Sequence, residues 1–395
     1  MTRNASFPTL LPVYRRIDIV FERGRGAWLW DREGRRYLDF ASGIAVTSLG
    51  HAHPKLVAAL TAQAEKLWHV SNLFRIAQLE ALADTLVANS FAETVFVCNS
   101  GAEAIEACIK MARRFHWHRG QPERNRIITF EGAFHGRTLA TISAAGSPRL
   151  TEGFAPLLDG FDIVPFADHE AVRAAVTERT AAILIEPVQG EGGVRPVPAE
   201  CLRGLRALCD EHDLLLIFDE VQCGMGRTGH LFACEAAGVA PDIMGLAKGL
   251  GGGFPIGACL ATARAASGMT PGSHGSTFGG NPLACAVANA VLEVMLEDGF
   301  LAEVRDRGRY LRERLEALRQ RHPDALTEVR GLGLMLGIRP RMENTAFAAR
   351  LRERGLLTVP AADNVVRILP PLVVGREEID IACEAIEAVL AEGEA

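Results

Sequence analysis

The sequence predicts an α/β fold in which a large domain, built on a mostly parallel sheet flanked by helices, is joined to a smaller α+β domain. Three observations lead to this prediction. Apolar strand candidates alternate with helical stretches in the middle of the chain, this rhythm changes over about the last hundred residues, and a hairpin pattern precedes both. At 395 residues the chain is also too long for one ordinary core.

The first element is a predicted β-hairpin over residues 27–40. Apolar and polar side chains alternate on both sides of Glu33 and Gly34, as expected for two strands joined by a tight turn. Residues 1–55 are therefore expected to contribute to the smaller domain.

The large domain is predicted over residues 56–290. Short apolar runs alternate here with helices, which is typical of a parallel sheet with both faces covered. The strand candidates are Val95–Cys98, Ile127–Phe130, Ala182–Ile185, Leu214–Phe218, Ile243–Ala247 and Ala258–Ala261. Helices are predicted over residues 198–211 and 282–297.

Residues 291–395 are predicted to form the smaller α+β domain. The pattern indicates a long helix over residues 301–319, short strands over 333–338 and 365–368, and a closing helix over 377–391. Because no low-complexity tract or long linker interrupts the chain, the two domains are expected to pack closely.

Composition excludes several classes of function. A formal net charge of −6 leaves no broad basic surface, so nucleic acid is not an expected partner. Residues 1–8 lack the apolar core of a signal peptide and no apolar run reaches membrane-spanning length, so a cytoplasmic protein without a membrane partner is expected. The nine cysteines form no C-x-x-C pair and are interpreted as reduced core thiols.

Lys248 is the most informative residue. It ends a short apolar strand candidate and is followed at once by a glycine-rich turn. Burial among apolar neighbours disfavours the charged form of an amine and makes it a nucleophile toward an aldehyde, while glycines allow a bulky cofactor to approach the backbone. In isolation a solvated surface lysine is the commoner interpretation.

Asp219 ends the preceding strand candidate, 29 residues before Lys248, so both side chains are expected at the carboxyl edge of one sheet. A carboxylate there can keep a ring nitrogen protonated and make the ring an electron sink. A metal ligand or a structural cap are the alternatives, but no phosphate-binding G-x-x-x-x-G-K-[ST] loop supports a nucleotide site. The neighbouring Glu220 is interpreted as a supporting or structural residue.

Residues 97–104 join a strand candidate to a helix through small side chains. The exposed N–H groups at such a helix start can bind a phosphate, although a plain helix cap by Asn99 or Ser100 explains the same pattern. In the loop after Phe130, Phe134 could stack on a planar cofactor and Arg137 could pair with a carboxylate.

Two acidic residues and one loop complete the candidates. Glu186 and Glu191 follow a buried strand; they could be structural, or a carboxylate near an arginine could control which substrate charge is accepted. The flexible loop at residues 275–282 carries hydroxyls that could contact phosphate or substrate. His51 and His53 have no companion cysteine or carboxylate cluster, so no metal site is predicted.

Taken together, these segments resemble the class III, or ornithine-type, pyridoxal-phosphate-dependent aminotransferases from about Val13 to the C-terminal helix, through the order and spacing of five motifs. The resemblance implies a fold-type-I homodimer with active sites shared between subunits. Residues 43–54 and the Phe-His-Gly-Arg-Thr loop at 134–138 are most similar to members that act on N-acetylornithine.

The resemblance also implies a role for each site residue. Lys248 would hold pyridoxal 5′-phosphate covalently and act as the proton carrier, and Asp219 would pair with its ring nitrogen. Gln222 would lie near the phenolic oxygen and Phe134 would stack on the ring. The phosphate would be held by Ser100, Gly101, Ala102 and, from the other subunit, Thr277. Substrate would be contacted by Arg137, Ser276 and Arg367, with Glu191 covering Arg367 when no carboxylate is bound there.

The implied reaction is transamination of N2-acetyl-L-ornithine with 2-oxoglutarate, giving N-acetyl-L-glutamate 5-semialdehyde and L-glutamate, in arginine biosynthesis. His135 departs from the aromatic residue usual in ornithine aminotransferases, which disfavours free ornithine. Succinylornithine, succinyl-diaminopimelate and other ω-amines stay open, because no motif reads the acyl group. A lyase resembling dialkylglycine decarboxylase, or a cofactor-binding protein without turnover, are the alternatives of another class.

Overall fold

A computed structural model describes residues 9–393. The strands are β1 (Phe21–Arg25), β2 (Trp28–Asp31), β3 (Arg36–Asp39), β4 (Thr94–Cys98), β5 (Arg126–Phe130), β6 (Phe161–Val164), β7 (Thr180–Ile185), β8 (Val188–Gln189), β9 (Arg195–Pro196), β10 (Leu215–Asp219), β11 (Ile243–Leu246), β12 (Gly257–Ala261), β13 (Leu326–Leu332), β14 (Met335–Pro340), β15 (Leu356–Leu357), β16 (Val359–Pro360) and β17 (Val366–Ile368).

The α-helices are α1 (Ser42–Ala45), α2 (Pro54–Ala64), α3 (Ala77–Ala88), α4 (Gly101–His118), α5 (Leu139–Ala145), α6 (Pro148–Thr151), α7 (His169–Ala175), α8 (Ala199–Glu211), α9 (Ala263–Ala266), α10 (Pro282–Met295), α11 (Phe300–Arg321), α12 (Asn344–Glu353) and α13 (Arg376–Glu392). Within residues 9–393, none of them combines the length and apolar character needed to cross a bilayer.

The centre of the molecule is a seven-stranded sheet in the order β4-β12-β11-β10-β7-β5-β6 among the described residues. Strands β6, β5, β7, β10 and β11 run parallel, while β12 is antiparallel to both of its neighbours. Every residue of β7, β10 and β11 is buried. The predicted α/β class with a mostly parallel sheet is therefore confirmed.

The predicted strands of this sheet are found within one to two residues of their expected bounds, but β6 was not predicted. It is a short strand at the edge of the sheet, with Ile163 exposed and Asp162 interrupting the apolar run. Ala247 lies just beyond β11 because the chain turns there toward Lys248. An edge strand with one covered side does not show the continuous apolar run that marks its buried neighbours.

The two ends of the chain share a second, four-stranded sheet in the order β1-β2-β3-β15 among the described residues. The predicted hairpin is present as β2 and β3, and Leu356 and Leu357 of β15 pair parallel with Leu38 and Asp39. A third sheet has the order β13-β14-β17-β16. The predicted strand at Gly333 begins at Met335 instead, because Gly333 lies in the turn between β13 and β14.

The pairing of β3 with β15 supports placing the N-terminal segment with the C-terminal one. The division into residues 1–55, 56–290 and 291–395 itself stays a prediction. Residues 1–8, on which the expectation of no signal peptide depends, lie outside the described residues. All nine cysteines of the sequence lie within them and are free thiols, and eight are buried.

Candidate active site

The carboxyl edge of the central sheet gathers the site. Asp219 is the last residue of β10, Glu186 follows β7, and Lys248 follows β11. Because these three strands are parallel neighbours, their ends meet at one edge, where open α/β sheets bind ligands. A cavity of about 400 Å³ lies there. It is lined by eight of the twelve predicted site residues: Ser100, Gly101, Ala102, Phe134, Arg137, Asp219, Gln222 and Lys248.

Lys248 enters this cavity through an unusual backbone conformation. Its φ of 45° lies in the left-handed region that non-glycine residues seldom adopt. Such strain is tolerated where the surrounding structure enforces it, commonly at functional sites. Burial lowers the pKa of the Lys248 amine, and the negative charge of Glu191 partly opposes this shift. An amine with a lowered pKa is a better nucleophile near neutral pH.

Asp219 is fixed from two sides. Its Oδ1 accepts a hydrogen bond from the Val221 N–H at 3.0 Å, and its Oδ2 lies 2.7 Å from Nδ1 of His135. Both side chains are buried. Burial by itself would lower the pKa of His135, but the hydrogen bond and charge of Asp219 outweigh it and raise that pKa. The ring of His135 therefore holds the Asp219 carboxylate in a fixed orientation.

Glu186 joins two loops of the site. Its Oε1 accepts the Phe134 N–H at 2.9 Å, and its Oε2 accepts the Gly190 N–H at 3.3 Å. Burial, followed by the nearby charge of Asp219, raises the pKa of Glu186 to about 7. This carboxyl therefore positions the aromatic loop against the glycine-rich loop that carries Glu191.

The start of α4 borders one end of the cavity. Ser100 caps the helix, with its Oγ accepting the Glu103 N–H at 3.2 Å, so the cap interpretation holds. Gly101 is required here, since a Cβ would lie 2.7 Å from Cγ1 of Val221. The first N–H groups of this 18-residue helix border the cavity, as a phosphate site requires.

Arg367 lies behind the cavity wall and is almost completely buried. Its Nη1 donates to Glu191 Oε1 at 2.5 Å and to Gln222 Oε1 at 3.1 Å. Its Nη2 donates to the Pro360 carbonyl oxygen at 3.2 Å. Glu191 thus pairs with Arg367 in this structure, and its dependence on the bound substrate stays a prediction.

A second cavity of about 460 Å³ adjoins the first, and both are lined by Phe134 and Arg137. Glu191 lines the second cavity, as does Arg149 of α6, whose side chain is exposed. The Arg137 guanidinium carbon lies 5.6 Å from the centre of the Phe134 ring. A substrate bound beside Phe134 could therefore extend from one cavity into the other.

Besides Arg367, two predicted residues line neither cavity. Ser276 Oγ accepts a hydrogen bond from Nδ2 of Asn99 at 3.0 Å, so it adjoins the start of α4 without lining either cavity. Thr277 is exposed and lines neither cavity. Its expected contact with the phosphate of another subunit stays a prediction.

Glu220 has a structural role, which is one of the two roles expected from the sequence. Its two carboxylate oxygens accept the Ala233 and Cys234 N–H groups at 2.6 and 2.8 Å, and burial raises its pKa to about 7. His51 Nε2 lies 2.8 Å from Oδ2 of Asp39. Residues 9–393 contain no cluster of histidine, cysteine and carboxylate side chains that could hold a metal.

Sequence reasoning missed the partnership of His135 with Asp219. The loop position of His135 was noted only as a departure from ornithine aminotransferases. The sequence feature that could have indicated this role is the position of His135 between Phe134 and Arg137, two residues already assigned to the site. This loop follows a strand whose carboxyl end lies at the same edge of the sheet as the site.

The fold and this arrangement define a class. Residues 12–390 match the family model described as aminotransferase class-III. The chain belongs to the class-III aminotransferase family.

More particularly, the chain is similar to acetylornithine aminotransferases. It is 59% identical over 382 residues to that of Agrobacterium fabrum, covering 97% of this chain and 96% of that protein. It is 50% identical to that of Myxococcus xanthus over 372 residues, covering 94% and 93% of the two chains.

Solved structures give the same relationship. The N-acetylornithine aminotransferase of Stenotrophomonas maltophilia matches with a TM-score of 0.84 and 42% identity, covering 96% of this chain and 97% of that one. The ornithine aminotransferase of Toxoplasma gondii ME49 matches with a TM-score of 0.93 and 32% identity, covering 97% and 93%.

Class-III aminotransferases use pyridoxal 5′-phosphate, and the residues of this site fit that group. A buried amine, a buried carboxylate, an aromatic side chain and a helix start border one cavity. They are of the types that can hold an aldehyde, a ring nitrogen, a ring face and a phosphate, respectively.

Proposed function

We propose that the protein transfers the δ-amino group of N2-acetyl-L-ornithine to 2-oxoglutarate, giving N-acetyl-L-glutamate 5-semialdehyde and L-glutamate, in arginine biosynthesis. The observation that carries this proposal is that the buried Lys248 and Asp219, which lie at the ends of two adjacent parallel strands, line a cavity that adjoins a second one at Arg137. Relatives named acetylornithine aminotransferase, at 50 to 59% identity over nearly the whole chain, support the choice of substrate.

When bound, pyridoxal 5′-phosphate supplies the aldehyde that exchanges amino groups and the ring that withdraws electrons. Lys248 anchors it and then carries the proton at the amine-bearing carbon of the substrate. Asp219, oriented by its hydrogen bond with His135, would hold a proton at the ring nitrogen. Phe134 covers the ring, and Ser100, Gly101 and Ala102 hold the phosphate, with Thr277 reaching it from a second subunit.

One pocket must accept two different acids. Arg137 pairs with the α-carboxylate of N-acetylornithine, with Ser276 nearby. Arg367 pairs with the α-carboxylate of glutamate or 2-oxoglutarate. While N-acetylornithine is bound, Glu191 pairs with Arg367 and neutralises the charge of its guanidinium. Movement of Glu191 then exposes Arg367 for the second acid.

A second candidate substrate has a carboxylate in its acyl group, as in succinylornithine or succinyl-diaminopimelate. Arg149 favours it, because its exposed cationic side chain lines the same cavity as Arg137. A succinyl carboxylate could pair with Arg149, whereas an acetyl group has no charge to offer it. We expect Arg149→Gln to slow conversion of the succinylated amine and to leave N-acetylornithine nearly unaffected.

We also propose that the enzyme is a homodimer in the cytoplasm. A patch of exposed apolar side chains supports the dimer: Leu67, Trp68, Leu73, Phe74 and Phe278. Phe278 is next to Thr277, and its ring centre lies 5.3 Å from that of His69. If a partner subunit covers this patch, Thr277 would come close to the active site of that partner.

The nine free cysteines support a cytoplasmic location, because thiols stay reduced in a reducing compartment.

The test is the rate at which the absorption of the bound cofactor changes with N-acetylornithine, succinylornithine, ornithine and 4-aminobutyrate. The fastest change is expected with N-acetylornithine and should be reversed by 2-oxoglutarate. A faster reaction with another amine would reassign the substrate. Release of carbon dioxide would identify a lyase, and no absorption change with any amine would indicate a binding protein without turnover.

A further inference from the structure

The surroundings of Arg367 pose a physical problem. Its side chain is 1% exposed, whereas that of its carboxylate partner Glu191 is 35% exposed and lies between Gly190 and Gly192. If Glu191 moves away, a buried guanidinium loses its neutralising partner. It must then keep its position and its full charge until a substrate carboxylate arrives, and an unpaired buried charge is costly.

Two neutral oxygen atoms can hold the guanidinium at that stage. Oε1 of Gln222 lies 3.1 Å from Nη1, and the Pro360 carbonyl oxygen lies 3.2 Å from Nη2. Because arginine only donates hydrogen bonds, the amide atom of Gln222 that faces it is the oxygen. A neutral acceptor orients the guanidinium and leaves its charge available for an incoming carboxylate.

Gly190 gives an independent indication that this contact is built into the fold. A Cβ at position 190 would lie 2.2 Å from Oε1 of Gln222. Its N–H donates to the buried Glu186, which keeps the backbone close to the Gln222 amide. The absence of a side chain at Gly190 therefore leaves room for the Gln222 side chain, which contacts Arg367.

We propose that Gln222 is a positioning residue for Arg367 during the half-reaction with glutamate and 2-oxoglutarate. Its amide oxygen retains the guanidinium while Glu191 is withdrawn, so it selects for a second substrate that carries an α-carboxylate. This inference rests on the proposed function. The expected role of Gln222 near the cofactor's phenolic oxygen uses the amide nitrogen and concerns both half-reactions equally.

The test compares the two half-reactions of the holoenzyme in Gln222→Met, which keeps the side-chain length and removes the acceptor. The glutamate half-reaction should slow about tenfold relative to the N-acetylornithine half-reaction, since a hydrogen bond to a charged group is lost. The dissociation constant of glutarate, an unreactive dicarboxylate, should rise by about the same factor in calorimetry. Equal slowing of both half-reactions with unchanged glutarate binding would overturn the proposal.

Two further variants separate this role from a general defect. Gly190→Ala should displace the Gln222 amide and reproduce the unequal effect with the glutamine still present. Gln320→Met, at an exposed position of α11, should change neither half-reaction. If wild-type protein does not react with N-acetylornithine, the proposed substrate fails. The glutarate measurement and the fastest-reacting amine would then still test the role of Gln222.

Discussion

At the scale of single residues, the site depends on charges held in buried places. Asp219 and His135 form a buried pair at 2.7 Å, and Glu191 covers the buried Arg367. Lys248 adopts a left-handed backbone conformation. Each of these features costs free energy in isolation and is maintained by its neighbours.

Lys248→Ala should lower turnover by about 1,000-fold or more, because both the covalent anchor and the proton carrier are removed. Steady-state assays with N-acetylornithine and 2-oxoglutarate measure this loss, and circular dichroism checks that the fold persists. Activity close to that of the wild-type protein would contradict the assignment of Lys248.

Glu191→Ala should impair the two half-reactions unequally. Without the Glu191 carboxylate, the charge of Arg367 is not neutralised and faces the uncharged part of N-acetylornithine. The α-carboxylate of glutamate can still pair with Arg367, so the glutamate half-reaction should be affected less. Single-turnover measurements with each amine give the two rates. Glu123→Ala, at an exposed position, is the control, and an equal loss in both half-reactions would argue against switching.

His135→Phe should reduce the free energy of unfolding by about 1–3 kcal/mol below about pH 6.5. The pKa of His135 is raised in the folded state by Asp219, against the opposing effect of burial. Its stabilisation is therefore complete below the unfolded-state pKa and is lost as pH rises through the folded-state value.

Urea unfolding of wild type and His135→Phe, at about pH 6 and about pH 9, measures this difference. The gap between the two proteins should narrow at the higher pH. His118→Phe, at an exposed position of α4, should show no pH-dependent gap. A gap of the same size at both pH values would mean that His135 does not act through its charge.

At the scale of elements, the site is assembled from parallel strand ends and the start of one helix. β7, β10 and β11 deliver Glu186, Asp219 and Lys248 to one edge, while α4 begins at the same edge after β4. The close contact of Gly101 with Val221 links the helix to the loop after Asp219. The position of the helix start therefore depends on a residue without a side chain.

Gly101→Val should weaken cofactor binding by about tenfold or more, because the new side chain would displace the start of α4 from Val221 and misplace its N–H groups. Titration of the apoprotein with pyridoxal 5′-phosphate, followed by absorbance, gives the dissociation constant. Lys110→Ala, at an exposed position of the same helix, should bind as wild type does. Unaltered affinity in Gly101→Val would rule out this phosphate site.

At the scale of the whole molecule, the proposed dimer explains why large apolar side chains are left in solvent. Trp68 is 64% exposed and Leu73 is 86% exposed, and both belong to the apolar patch that includes Phe278. An apolar patch of this kind beside a predicted cofactor ligand indicates a protein interface. Activity is therefore expected to require the assembled dimer.

Trp68→Glu should shift the protein toward monomers and reduce activity in parallel, because Thr277 would no longer reach the partner's site. Sedimentation velocity over a range of concentrations measures the shift. Trp117→Glu is a matched control, since Trp117 is 58% exposed and is a residue of α4 that does not belong to the patch. Monomers of Trp68→Glu with full activity would contradict a shared site.

The sequence alone determined the α/β class, the strands of the central sheet except β6, and the residues at the carboxyl ends of those strands. Burial of a strand on both faces requires a continuous apolar run, so the pattern of residues reports it directly. Polar side chains that end such runs, Asp219 among them, are then recognisable as site candidates.

Only the tertiary structure decided which of these side chains meet. Glu191 and Arg367 are 176 positions apart in the sequence, yet they form an ion pair. Gln222 is 145 positions from Arg367 and accepts a hydrogen bond from it. The pairing of β15 with β3 and the hydrogen bond between His135 and Asp219 also join residues that are far apart in the sequence. Periodicity reports whether a side chain is buried, whereas its partner is fixed by long-range packing, which no local pattern encodes.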